Sequence, residues 1–132
     1  MEKLLLLMGR VFFSLIFVMA GYSHVVSGQL VNYAASAGVP APGFMVPAAG
    51  LLAFFGGLSV MLGYKARYGA WMIVLFLVPV TLVMHSFWSV TDNQMAMMQM
   101  TMFQKNLSML GGAFLIAHYG SGPYSLDTYL SK

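Results

Sequence analysis

Charged side chains make up only 7% of this chain, and almost all of them stand outside four long apolar stretches. A water-soluble domain normally surrounds its core with a charged shell of about a quarter of its residues. With 60% hydrophobic residues among 132, this chain cannot build one, so its outer surface must face lipid. A spanning helix needs roughly 20 mostly apolar residues at about 1.5 Å rise each. Leu4–Val26, Met45–Gly63 and Gly69–Trp88 meet that length, and Phe103–His118 is a shorter fourth stretch. The expected fold is all-α: one four-transmembrane-helix bundle over residues 1–132, with its core made by helix packing in lipid and no second domain. Leu4–Val26 is too long for the apolar part of a secretory signal and is interrupted by Arg10, so it reads as a retained helix.

Lys3, Arg10, Lys65, Arg67 and Lys132 fall on one side of the membrane if the four stretches alternate, and only Lys105 falls on the other. Positive loops stay inside, so both termini of this multi-pass chain are expected in the cytoplasm. The net charge of +3 then reflects topology and calls for no nucleic-acid partner. Cysteine is absent, which excludes thiol–disulfide exchange and thiolate metal ligation within the chain. Glu2, Asp92 and Asp127 all lie outside the apolar stretches, and no Ser-His-Asp set, glycine-rich phosphate loop or carboxylate pair is present. Hydrolysis and phosphoryl transfer therefore have little support.

In the first stretch Arg10, Ser14, Gly21 and His24 share roughly one helix face. Arg10 reads either as an inward-facing ion or as a basic anchor that snorkels to the interface. Leu30–Ala37 suits one or two interfacial helical turns that can cover a cavity mouth, and Pro40, Pro42 and Gly43 are expected to stop any helix and return the chain to the membrane. In the second stretch Ala49, Ala53 and Gly57 form a small-residue row that lets helices approach closely. Pro79 is expected to kink the third, beyond which Thr81, His85 and Trp88 share a face. Thr91, Asp92 or Asn93 can cap the helix that follows.

Two groups of side chains are candidates for chemistry. Under the alternating topology His24, His85, Trp88, Lys105 and Asn106 all lie near the outer face. Imidazole, ammonium and amide groups suit a polar head such as a quinone carbonyl, with Trp88 beside a ring. The plainer reading is that these groups sit at the lipid–water boundary, where Trp and His are common. The second group is the methionine-rich run Met95–Phe103. Met97, Met98 and Met100 are candidate soft ligands for Cu(I), although methionine is equally a flexible filler.

Met84-His-Ser-Phe-Trp88, Phe103-Gln-Lys-Asn-Leu107, Leu110-Gly-Gly112 and Gly120-Ser-Gly-Pro-Tyr-Ser-Leu-Asp127, with Gly9-Arg10, Ala20-Gly21 and Gly56-Gly57, resemble the DoxX family over essentially the whole chain. The resemblance implies a four-helix protein, multi-pass in the plasma (inner) membrane of a bacterial or archaeal cell. The family takes its name from a membrane subunit of a thiosulfate:quinone oxidoreductase, and other members look like membrane partners of redox and sulfur-handling proteins. Arg10, His85, Trp88, Lys105, Asn106 and Asp127 match its recurrent polar positions. The chain departs from the pattern in lacking an acidic residue near Ala53, in carrying His24 where a lysine is frequent, and in carrying Ser86 where an acid is frequent. Asp127 is expected to cap the tail or staple it to Lys65 or Arg67.

The function expected from these readings is a membrane subunit or partner in redox or sulfur metabolism that holds quinone near its outer face, at most one subunit of a quinone-linked oxidoreductase. Two alternatives stand beside it: a non-catalytic membrane assembly or stress-response protein, and a copper or small-solute handler using the methionine run. The lipid bilayer is the certain partner, and the glycine-rich faces also suit a homo-oligomer.

Overall fold

A computed structural model describes every residue from Met1 to Lys132 and contains helices and no strand. In chain order these are α1 (Glu2–Val26), α2 (Gly28–Ser36), α3 (Pro42–Leu62), α4 (Ala66–Met84), a 3-10 turn at Phe87–Ser89, α5 (Asn93–Tyr119) and the short α6 (Leu126–Leu130). The long helices pack in the order α1 on α3, α3 on α4 and α4 on α5, while α2 lies against α3. Only 22 of 132 residues are buried, and large apolar side chains such as Phe12, Phe44 and Leu75 point outward. An apolar exterior of this extent belongs in hydrocarbon.

Three helical segments, Glu2–Val26, Pro42–Leu62 and Ala66–Ser89, have the length and apolar composition to cross a membrane. At 27 residues α5 is long enough, at about 40 Å. Gln94, Gln99, Gln104, Lys105 and Asn106 make it more polar than the other three.

The core is built from small residues as much as large ones: Ala53, Ala66, Ala70 and Ala113 are completely buried beside Phe17, Val60, Ile73 and Leu77. Small side chains permit close helix approach, and in the contact of α1 with α3 it is backbone that meets backbone. A Cβ on Gly21 would stand 2.5 Å from the Phe54 amide nitrogen and 2.6 Å from the Gly50 carbonyl oxygen. One on Gly50 would meet the His24 Cβ at 2.6 Å. The buried face of α3 runs through Gly50, Ala53, Gly57 and Val60, so the small-residue row includes Gly50, and Ala49 is only half-buried.

Helix boundaries differ from the sequence expectation in two places. Pro42 and Gly43 do not stop a helix: Pro42 starts α3 at a position whose N–H would be unpaired in any case, and Ala41 turns the chain in the left-handed region at φ 44°. The third apolar stretch ends early. α4 stops at Met84, and the Ser89 amide and hydroxyl both donate to the Ser86 carbonyl, a local pairing that competes with helix continuation. Trp88 therefore sits in the 3-10 turn and does not share a helical face with Thr81 and His85.

The α3–α4 connection is compact. Gly63 adopts φ 67°, its amide donates to the Val60 carbonyl, and the Tyr64 amide donates to that of Ser59, which together close α3 with a Schellman motif. α5 begins as expected from its polar break, with the Asp92 carboxylate accepting from the Met95 amide at 2.9 Å.

Candidate functional site

Two sites of different character occupy opposite ends of α1. At its C-terminal end a half-open apolar cavity of about 460 Å³ is lined by residues of α1, α2, α3 and α4. Of its 18 lining residues 14 are hydrophobic, and the only side chains there with nitrogen or oxygen atoms are His24 and Tyr33. His24 enters this wall because Gly50 lets the α1 backbone sit directly on α3. Its ring meets Phe76 edge-on at 5.6 Å, and Nδ1 lies 2.6 Å from the Ala20 carbonyl oxygen. With Nδ1–H donating to that carbonyl, Nε2 is left as the nitrogen available to a ligand. Tyr33 comes from α2, whose Leu30 and Ala34 also line the cavity, so one face of this short helix forms its cover.

The other candidate side chains from the sequence do not line this cavity. His85 Nδ1 lies 2.7 Å from Gln99 Oε1, a hydrogen bond that ties the end of α4 to α5. Trp88 is exposed and packs edge-on against Phe87 and Phe103. Lys105 is exposed on α5, with Nζ 3.5 Å from the Met102 sulfur. Asn106, one position on, is buried. Met97, Met98 and Met100 are exposed on the first turns of α5, and no cluster of three or more His, Cys, Asp or Glu side chains is placed to hold a metal.

At the other end the C-terminal tail closes over Arg10. This side chain is buried and does not snorkel. Its guanidinium donates to the backbone carbonyls of Ser121, Pro123 and Tyr124, while Nε has no partner. Left-handed backbone at Gly120, Gly122 and Tyr124 curves the tail so that successive carbonyls converge on one cation. Asp127 anchors the same tail to α4. Its carboxylate accepts from the Lys65 amide at 3.0 and 2.9 Å and from the Ser121 hydroxyl, and its own amide donates to the Gly63 carbonyl. The Ala66 amide in turn donates to Ser121 Oγ at 3.2 Å. Unpaired amides and the positive dipole end of α4 are thereby satisfied. The Ser121 hydroxyl first, then the Lys65 amide and the nearby Lys65 and Arg10 charges, hold the Asp127 carboxyl below its ordinary range. The staple expected of Asp127 is thus present, and it reaches the Lys65 backbone.

The DoxX family model matches residues 5–86, which takes in α1 to α4. The chain belongs to the DoxX family. A model of the SURF4 family matches residues 49–132 and overlaps the DoxX match across most of α3 and α4. This DoxX chain is 32% identical over 133 residues to inner membrane protein YqjF of Escherichia coli (strain K12), covering 100% of the chain and 96% of that protein. It is 29% identical over 127 residues to inner membrane protein YphA of the same organism, with 96% and 90% covered. No solved structure matches it. Apolar surface, spanning helices and these relatives agree that this DoxX chain is a membrane protein.

Tyr33 is the lining residue that sequence reasoning passed over. Leu30, Tyr33 and Ala34 follow the i, i+3, i+4 spacing of one helix face, which was a readable signal. What hid Tyr33 is that a tyrosine beside an apolar stretch is ordinarily an interface anchor.

Proposed function

We propose that this DoxX-family protein is an inner-membrane subunit or partner in redox or sulfur metabolism that holds a quinone in the cavity beside His24 and Tyr33. The observation that carries the reading is the chemistry of that cavity: an apolar pocket of about 460 Å³ in which one imidazole and one phenol are the side chains with nitrogen or oxygen atoms. Ligand pockets of this size and polarity suit an apolar ring with a few polar atoms. In this reading all four long helices cross the bilayer with both termini in the cytoplasm. Arg10, Lys65 and Arg67 meet at the tail end of the bundle, with Lys3 and Lys132 on the segments that lead there, as the positive-inside rule asks of a cytoplasmic face.

A bound quinone supplies two-electron, two-proton redox chemistry. His24 and Tyr33 would hold its ring oxygens by hydrogen bonds, and the His24 imidazole would be the group there able to take up or return a proton. The chain has no cysteine, so electrons enter or leave through a redox partner. Photolabelling of the full-length protein in lipid nanodiscs with an azido-quinone tests this. Label is expected on peptides containing His24 or Tyr33, competed by unmodified quinone and diminished in His24→Leu. Label confined to the Trp88–Asn106 region, or spread evenly and not competed, would refute it.

A further inference from the structure

The four long helices do not close into a ring. Between α1 and α5 lies a second cleft, about 620 Å³, at the tail end of the bundle. Its walls are apolar, with Leu5, Leu6, Phe13, Leu115 and Ile116 along its length, and its end is formed by Arg10 and the backbone of Gly120–Gly122. Gly9 lies in the floor of the cleft with nothing within 4 Å of the position its Cβ would take.

The polar end has an electrostatic character. Every hydrogen bond of the Arg10 guanidinium goes to a neutral carbonyl and Nε has no partner, while the nearby Asp127 carboxylate is taken up by the Lys65 amide and the Ser121 hydroxyl. The amides of Ser121 and Gly122 make no backbone hydrogen bond. Arg67 reaches the same corner, since a Cβ on Gly120 would stand 3.0 Å from its Nε. Lys3 lies two helical turns beyond Arg10, at the exit of α1 from the membrane. A long apolar slot with a cationic, amide-bearing end at interface depth matches an acyl chain attached to an anion. From this complementarity we propose that the α1–α5 cleft seats an anionic membrane phospholipid, with an acyl chain against Leu6, Phe13 and Ile116 and its phosphate towards the Arg10–Arg67 corner. This site is separate from the His24 cavity and takes a different ligand.

The test is native mass spectrometry of full-length protein released from nanodiscs holding equimolar phosphatidylglycerol and phosphatidylcholine. The wild type should retain one phosphatidylglycerol in preference to phosphatidylcholine by about fivefold or more, the selectivity that one interfacial cation confers. Gly9→Leu, at a position whose Cβ meets no atom within 4 Å, places a branched side chain in the cleft and should abolish that retention, whereas Gly28→Leu, whose Cβ is equally free of neighbours and which lies outside the cleft, should leave it intact. Arg67→Gln should lower the preference while the protein remains folded. Equal retention of both lipids, or undiminished phosphatidylglycerol in Gly9→Leu, overturns the proposal. So does a lipid-free dimer in both lipids, which would mean that a second copy fills the cleft.

Discussion

Adding one methyl group at Gly21 should separate α1 from α3 and weaken the whole bundle. The Cβ of Gly21→Ala would lie 2.5 Å from the Phe54 amide nitrogen, 2.6 Å from the Gly50 carbonyl oxygen and 2.7 Å from the Phe54 Cα. All three are backbone atoms, so no side-chain rotation relieves them, and α1 and α3 must move apart by the better part of an ångström. Overpacking of this kind costs up to about 3 kcal/mol, since contacts along both helices are lost at once. Replacing a mid-helix glycine returns about 1 kcal/mol through backbone entropy, which leaves a net loss of about 2 kcal/mol. Gly9→Ala supplies the matched control: it lies in the same helix with no neighbour within 4 Å, so only the gain of about 1 kcal/mol applies. Reversible unfolding in mixed micelles, followed by helical circular dichroism, should place the two variants about 3 kcal/mol apart, the sum of these effects. A difference under about 0.5 kcal/mol, within the scatter of ordinary substitutions, would refute the claim that backbone contact at Gly21 holds α1 on α3.

Arg10→Met should release the tail, because three carbonyls lose charge-assisted donors worth about 1.5–3 kcal/mol each at most; amide exchange over residues 121–130 would then rise sharply while α3 and α4 stay protected. Tail docking should also depend on pH. The folded Asp127 carboxyl titrates below its ordinary value, so its contribution is complete above about pH 4 and is lost as pH falls through the depressed value. Exchange at the Lys65 amide should follow that loss, and Asp127→Asn should flatten it; a wild-type profile unchanged down to pH 2 would count against the staple. His85→Ala removes the bond to Gln99 and should cost about 1 kcal/mol while leaving azido-quinone labelling at His24 unaltered. Loss of that labelling would move the ligand site to the α4–α5 junction.

The helices were legible because hydropathy and length answer to the solvent, and lipid leaves a backbone few choices. Asp92 as a cap and Asp127 as a staple were readable for a related reason: an acid beside an apolar stretch needs amides, and helix starts provide them. The early end of α4 was hidden because Phe87 and Trp88 continue the apolar pattern, while the Ser86–Ser89 pairing that ends the helix is local and short-range. The cavity was hidden for a different reason. Proximity of His24 to Tyr33 depends on where α2 folds back and on how close Gly50 allows α1 to come, and neither follows from the spacing of one helix. Arg10 left two readings open because the carbonyls that bury it belong to residues 111 to 114 positions away.

That separation sets an order of events during synthesis. Arg10 is made among the first residues, and the carbonyls that receive it are among the last. At about 5–20 residues per second the ribosome needs roughly ten seconds to cover the interval. For that time the first helix lies in the membrane with its cation reaching for headgroups and water. Docking of the tail is therefore the closing event of assembly, and a chain that terminates before Ser121 leaves the Arg10 guanidinium without the three carbonyls that receive it.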